Sequence, residues 1–584
     1  MHRIFQKIRD FLDAHHLQLA SAGGDWLLAL LGVVLGLLVG GVVIVFRLLV
    51  EWSQAGFLPA ADPENYELLD WQLRLLYPVA GSILLGVIFL LVVRGPIRLG
   101  VIHVMERLAY HEGHLPLKHG LLQFFGGAIA IISGHSVGRE GPSIHIGATV
   151  ASLTGQKLHL PNNSIRTLVA CGSAAAIAAS FNTPLAGVIF AMEVVMMEYT
   201  ITGFTPVILA AVSATTLNRM IFDSLPTFIV PELSLHTFWE LAVIVVMGFA
   251  IGALATLFIR VLNWITRKGQ ALAPGLRIVV GGVAMGGCAV IAPQVMGIGY
   301  DTVNAALFGD IVLATLVFVL FVKLLATAIC VGMSIPAGLI GPTLFMGALA
   351  GSAVGQLLHL FSADLSHPGL YAMLGMGAMM GATLQAPLAA LLALLELTGN
   401  VDIIFPGMLA VVSANIAAKE FFGQESVYLR QMSSIGLDYH HDPLSQSLRR
   451  RAVGSVMDPS FCLLSPLVSR SQAEKLLSEE QPQWLIINRE DGKLLMPAAD
   501  LARELENESL AEDDEIDLLE IPSKRMELAS VRQQSTLQQA FRILNDTDAE
   551  ALYVIRPLGA AADRIYGVVT AEHIEKSYQL SSVQ

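Results

Sequence analysis

Long apolar runs that recur down this chain leave it few ways to fold. Residues 27–50 and 77–93 are each apolar over the roughly 17–25 residues that a hydrocarbon core demands. Inside a bilayer each backbone N–H and C=O must be satisfied within the chain, so such runs fold as helices. Charge agrees: 14 % of the 584 residues are Asp, Glu, Lys or Arg, where a soluble domain carries about a quarter. With 52 glycines to let helices approach closely, most of the chain reads as an all-α polytopic membrane protein.

Organisation follows from where the runs are interrupted. Residues 1–25 read as a short amphipathic lead at the interface, and Arg3, Lys7 and Arg9 ahead of the first run place the N-terminus in the cytoplasm. The lead lacks the pattern of a secretory signal. Residues 51–74 are polar and aromatic enough for a loop outside the bilayer. From Gly120 the apolar pieces shorten: L-L-Q-F-F-G-G-A-I-A-I-I-S-G, G-R-E-G-P, V-A-C-G-S-A-A-A-I-A-A-S-F, P-L-A-G-V-I-F-A-M-E. Several are too short to span at about 1.5 Å per residue. Broken helices survive at membrane depth only where their ends face protein or a cavity. Longer runs return at 207–222, 239–261 and 276–290, and a second interrupted set begins with 312–331. N-T-P-L-A-G-V-I-F-A-M-E at 182–193 parallels Q-A-P-L-A-A-L-L-A-L-L-E at 385–396. This repeat points to inverted helical halves with many broken helices, meeting at a substrate path, within a transmembrane domain at 26–431.

A polar linker at 432–454 leads into an α/β region at 455–584. Residues 451–584 hold 23 acidic against 13 basic side chains, −10 of the net −13, and no basic block that would favour nucleic acid. W-L-I-I-N and K-L-L-M-P around the turn R-E-D-G predict a hairpin. E-N-E-S-L-A-E-D-D-E-I-D is expected as a solvated acidic loop. Residues 528–578 repeat the order, with a helix at S-T-L-Q-Q-A-F-R-I-L and strands at A-L-Y-V-I and R-I-Y-G-V-V-T, so two tandem units would bury one shared core.

The chemistry concentrates at G-R-E-G-P-S-I-H-I-G, residues 138–147. Glu140 is a carboxylate at membrane depth, where burial is costly and function is the usual reason for it; an ion pair with Arg139 is the structural alternative. Gly138, Gly141 and Pro142 open a helix, and a helix N-terminus attracts an anion. A carboxylate can fill that anion site and leave it when protonated, which predicts an anion path where Glu140 competes with the substrate. A-G-L-I-G-P at 337–342 forms a second cradle, in which Leu339 and Ile340 offer backbone N–H groups without side-chain charge. His135 and His145 flank Glu140 without a third ligand, so no metal site is expected. Cys171, Cys288, Cys330 and Cys462 lack metal-ligand spacing and read as buried thiols. Lys323 lies in an apolar run and either adds positive potential near the route or snorkels to the interface. No nucleophile or metal constellation accompanies Glu140, which argues against an enzyme.

In this order and at these separations, G-R-E-G-P-S-I-H-I-G, F-N-T-P-L-A-G-V-I-F-A-M-E and G-L-I-G-P resemble the CLC family of chloride channels and proton/chloride antiporters, over about residues 25–430. The tail resembles the paired CBS domains of many members, mainly through V-M-D-P at 456–459 and its strand–helix order. The resemblance implies that Glu140 is the external gating glutamate and that Arg139 and Gly141 line the outer anion site. It implies that the amides of Leu339 and Ile340 hold the central chloride and that the Tyr428 hydroxyl closes the inner side. It further implies a homodimer with one pore per subunit in a bacterial inner membrane, both termini cytoplasmic. An adenine nucleotide between the CBS units is the one cofactor it suggests, although no phosphate-cradling glycine loop accompanies it.

Two positions depart from the family pattern. Leu99 stands where G-S-G-I-P carries a serine, and the neighbouring Arg98 is the candidate electrostatic substitute. Val194 stands where well-coupled bacterial antiporters carry an internal glutamate, with Glu193 in the place before it. Glu193 and Glu198 are the candidate proton relays; Glu198, four residues on from Val194 and so one turn along the same face, reads alternatively as a headgroup-level charge. The expected function is chloride transport gated by Glu140. Stoichiometric proton/chloride antiport by another proton route is the alternative, and a membrane-anchored nucleotide sensor or scaffold is the alternative of a different class. The fluoride-exporting branch fits less well because Pro142 follows G-R-E-G.

Overall fold

The computed structural model describes residues 25–59, 65–92, 98–199, 201–222, 228, 235, 237–360, 365–437, 443–489, 491–506, 515–556 and 564–581. The expected N-terminal lead, apart from Asp25, lies outside them. The described residues form two units, one of 26–156 and 166–437, the other of 157–165 and 443–581.

In the first unit, α1 (Asp25–Phe57), α2 (Trp71–Val92), α3 (Gly100–Tyr110) and α4 (Leu117–Ile132) precede α5 (Glu140–Lys157). Then come α6 (Asn162–Phe181), α7 (Pro184–Phe190) with its π-helical continuation Ala191–Met196, and α8 (Ile201–Ile221). The second half holds α9 (Glu240–Gly269), α10 (Pro274–Ile291), α11 (Tyr300–Phe308), α12 (Leu313–Gly332), α13 (Ile340–His359), α14 (Pro368–Leu384), α15 (Pro387–Thr398), α16 (Ile404–Ile416) and α17 (Val427–Ser434). Among the described residues nine helices are long and apolar enough to cross a membrane. The protein is a multi-pass membrane protein.

Several helices are longer than hydropathy predicts. V-A-C-G-S-A-A-A-I-A-A-S-F is the end of the 20-residue α6, which starts at Asn162. Its alanines and glycine pack within the protein, since 94 % of its most apolar 18-residue stretch is buried, so a lipid-facing apolar stripe is not needed. Likewise α1 runs on to Phe57 and α2 begins at Trp71, which shortens the loop expected at 51–74. Close packing is carried by small residues: a Cβ on Gly147 would press on Gly172 of α6, and one on Gly347 on Gly375 of α14.

The second unit contains a six-stranded sheet, ordered β1-β3-β4-β6-β7-β8. Its strands are β1 (Phe461–Leu464), β3 (Trp484–Arg489), β4 (Gly492–Pro497), β6 (Met526–Arg532), β7 (Ala551–Arg556) and β8 (Arg564–Thr570). β2 (Leu467–Ser469) pairs with β5 (Glu515–Asp517) beside it. Each repeat joins a parallel pair to an antiparallel hairpin, β1–β3–β4 and β6–β7–β8, and the antiparallel β4–β6 pairing fuses them. The E-I-D end of the acidic run is therefore a strand, because Ile516 buries its side chain among Val468, Leu494 and Leu518. Beside the expected shared core, each repeat has one of its own, around Leu485 and Leu501 in the first and Leu537 and Leu552 in the second. A third cluster of Ile486, Leu495, Ala551 and Val568 spans the sheet. The segment expected as a linker contains the helix Pro443–Arg449. The strand-containing region has the tandem α/β organisation of a CBS-like domain.

Candidate functional site

The site begins at two loops that each end in a helix start. Gly138 N–H donates to Gly338 O at 2.9 Å and Gly338 N–H to Gly138 O at 3.0 Å, an isolated antiparallel bridge. Two residues further on, α5 begins at Glu140 and α13 at Ile340. Glycine is required here. A Cβ on Gly138 or Gly338 would collide with the Glu140 carboxylate, and one on Gly141 with the Ala337 carbonyl. Pro142 and Pro342 sit in the first turn of their helices, where a missing N–H costs nothing.

Glu140 is fully buried, and its Oε1 accepts the Gly341 N–H at 2.9 Å. The carboxylate supplied by the first half thus rests on the opening turn of α13, where unpaired amides and the helix dipole favour negative charge. A chloride ion would be drawn to the same amides for the same reason. Tyr428 is buried at the start of α17, whose N-cap Ser426 accepts its backbone N–H at 3.3 Å. The tyrosine is close enough to Glu140 for the two to interact electrostatically. Tyr428, Leu339 and Leu99 line one interior cavity of 120 Å³ together with Arg98, Arg277 and Gln431. Glu140, Gly141, Leu339, Ile340 and Tyr428 are therefore brought together. Arg139 lies over the rings of Phe181 and Tyr300, 5.6 and 5.7 Å from their centroids, with Nη1 3.8 Å from Glu51.

At the position of the absent serine, Leu99 caps α3 without a side-chain hydrogen bond. The Gly100 N–H is satisfied by Gln123 Oε1 at 2.8 Å, so a side chain from α4 takes an amide that an anion could have held. Arg98 lines the cavity, but its guanidinium pairs with Glu106. Arg277 of α10, which sequence reasoning missed, reaches the same cavity and leaves its Nε without a hydrogen-bond partner. Its sequence neighbourhood is an ordinary apolar helix, and only folding puts it beside Leu99.

The other predicted carboxylates lie elsewhere. Glu193 accepts the N–H groups of Leu388 and Ala389 at 3.4 and 2.8 Å, and Glu396 reciprocates on Leu185 and Ala186 at 3.0 and 2.8 Å. The glutamate ending each repeat caps the proline-led helix of the other. Met197 adopts φ 54° and ends the π turn, so Glu198 does not lie one turn along the helix from Val194 as expected. It is buried 3.6 Å from Arg166. Lys323 does not snorkel: it is fully buried, and Nζ donates to the carbonyls of Val295, Gly297 and Ile298 at 3.1–3.3 Å. His135 is held by Ser82 and Ser133 at 2.8 and 2.9 Å.

Comparison with known proteins gives this geometry a family. The chain matches the voltage gated chloride channel family over residues 81–419. It is 32 % identical over 376 residues to a ClcB-like chloride channel protein of Ralstonia nicotianae, covering 62 % of this chain and 86 % of the relative. It is 30 % identical over 329 residues to the H(+)/Cl(−) exchange transporter ClcA of Vibrio cholerae, covering 53 % of this chain and 67 % of the relative. The crystal structure of a eukaryotic CLC transporter shares the fold with a TM-score of 0.60 at 18 % identity, over 94 % of this chain and 98 % of that one. With its paired glycine loops and the helix starts they open, the chain belongs to the CLC family of membrane chloride channels and transporters.

Proposed function

We propose that each subunit carries chloride along a path through the Gly138–Gly338 bridge, with Glu140 as its protonatable gate. One observation carries this reading: the buried carboxylate accepts from the Gly341 amide, on the helix start that would bind the ion. Ionised, Glu140 competes with chloride for those amides; protonated, it loses the charge that holds it there. Arg139 and Gly141 line the outer part of the path, the amides of Leu339 and Ile340 hold the ion centrally, and Tyr428 bounds the inner cavity. The exposed apolar side chains Leu185, Leu388, Phe405 and Met408 support a homodimer, each chain with its own path. The resemblance to bacterial relatives supports an inner-membrane location, and the basic lead supports cytoplasmic termini.

Anion efflux from liposomes tests the gate. Glu140→Gln and Glu140→Ala should each change chloride efflux at least several-fold and flatten its pH dependence, and efflux unchanged in both variants would remove Glu140 from the path. A nucleotide role for the tail has one supporting feature, a groove lined by Tyr553, Lys493 and Arg564. Binding of ATP to the full-length protein that is lost in Arg564→Ala would place a nucleotide there.

A further inference from the structure

Chloride gating leaves a row of histidines unexplained. His103 of α3 and His145 of α5 are buried, and His103 Nδ1 lies 2.7 Å from His145 Nε2. His119, half-buried near the start of α4, packs edge-on against His103 with ring centroids 4.7 Å apart, and the His103 and His145 centroids are 5.0 Å apart. Gly120, next to His119, packs on Thr149 of α5, and Gly127 of the same helix packs on Pro142, so the row runs along α5 from the Thr149 side toward His145. His145 Nδ1 has no hydrogen-bond partner, and neither does the buried Nε2 of Gln123, the side chain that satisfies Gly100. A Cβ on Gly127 would touch both that Nε2 and Pro142, so the amide end of Gln123 and the first turn of α5 both border Gly127.

We propose that His119, His103 and His145 form a proton path to Glu140, which serves this chain where Val194 has removed the internal glutamate. The inference rests on Glu140 being the gate. Imidazole suits the task because each ring can take a proton on one nitrogen and release one from the other. A proton from solution adds to His119, which packs edge-on against His103, and passes to His103 Nε2 when the rings rotate into hydrogen-bond distance. His103 releases one from Nδ1 to His145 Nε2, within the roughly 2.6–3.2 Å that proton transfer needs. His145 then gives up its Nδ1 proton, which ends on the Glu140 carboxylate as a neutral acid. Each ring is left neutral in its other tautomer, ring rotation resets it, and no oxidation or reduction is involved. The last step spans five residues of one helix, about 7.5 Å of rise, which is longer than one hydrogen bond, so a short chain of waters starting at His145 Nδ1 carries the proton to the carboxylate.

The groups around the row suit transient rather than standing charge. His103 faces His145, His119, Arg107 and Arg98, with Glu106 paired to Arg98. His145 faces His119 in addition to His103. Burial, and for His103 the two arginines beside it, makes a resting imidazolium costly, while a proton in passage needs only a brief one. Glu193 is engaged as a helix cap and Glu198 lies against Arg166, so neither competes for this role.

Proton uptake driven by a chloride gradient, measured beside chloride efflux in liposomes of the full-length protein, tests the path. The wild type should move protons. His103→Gln, which keeps a polar side chain but cannot relay, should cut proton uptake at least tenfold and leave chloride efflux within about twofold. His119→Ala should cut it by a smaller factor, and added imidazole should restore it. If His103→Gln loses chloride efflux as well, the half-buried His119 variant decides. Chloride efflux without proton uptake in the wild type, or full uptake in His103→Gln and His119→Ala, overturns the path while leaving the gate intact. Glu140→Gln efflux identical to wild type overturns the gate itself.

Discussion

Arg277 shows how much a single side chain can matter once its surroundings are known. It shares a cavity with Leu99, Leu339 and Tyr428 and has an Nε without a partner, whereas Arg98 in the same wall is offset by Glu106. A hydrogen bond to a charged group contributes about 1.5–3 kcal/mol, so Arg277→Gln should raise the chloride concentration for half-maximal efflux by roughly tenfold. Arg277→Lys, which keeps the charge, should lose less. Efflux measured against internal chloride checks both, and an unchanged half-saturation in Arg277→Gln would assign the ion's inner contacts to backbone alone. Glu140 was legible in the sequence because its entire signal is local: a charge, two glycines and a proline within five residues. Arg277, Gln123 and His103 were not, because each gains meaning only from partners on other helices. Gln123 in particular reads as a polar break in an apolar run until the fold sets it on the Gly100 amide.

At the scale of helices and loops, the two proline-led helices α7 and α15 are tied to each other's halves. An amide pair at a helix start, given a carboxylate, gains both hydrogen bonds and dipole compensation. Glu193→Gln and Glu396→Gln keep the shape but remove the charge, and each should cost about 1–2 kcal/mol. Thermal unfolding in detergent should show a lowered midpoint for either variant, and equal midpoints would mean that solvent or lipid caps these helices as well. The repeat was visible as P-L-A followed by a run ending in Glu. Its purpose was not, since a conspicuous membrane glutamate next to the family's proton position reads first as a proton carrier. The interrupted pieces were misjudged for a related reason. Hydropathy detects helices that face lipid, and α6, packed in protein on nearly every side, gives only its apolar end to such a reading.

Across the whole molecule, the two units follow different rules. In the tail, the hairpin and the closing strands β7 and β8 were readable from alternation and turn chemistry, yet β5 was hidden in an acidic run because one buried residue, Ile516, outweighs its charged neighbours. In the membrane unit the halves join through the glycine bridge and the reciprocal glutamate caps. The caps have a consequence for synthesis. Glu396 follows Ala186 by 210 residues, so at roughly 5–20 residues per second the first helix start waits on the order of ten to forty seconds for its acceptor to leave the ribosome. Nascent chains stalled before residue 396 should be cut readily by protease near residues 183–187, and chains stalled well beyond it should resist. The first half is thus a guest of the insertion machinery until the second half arrives.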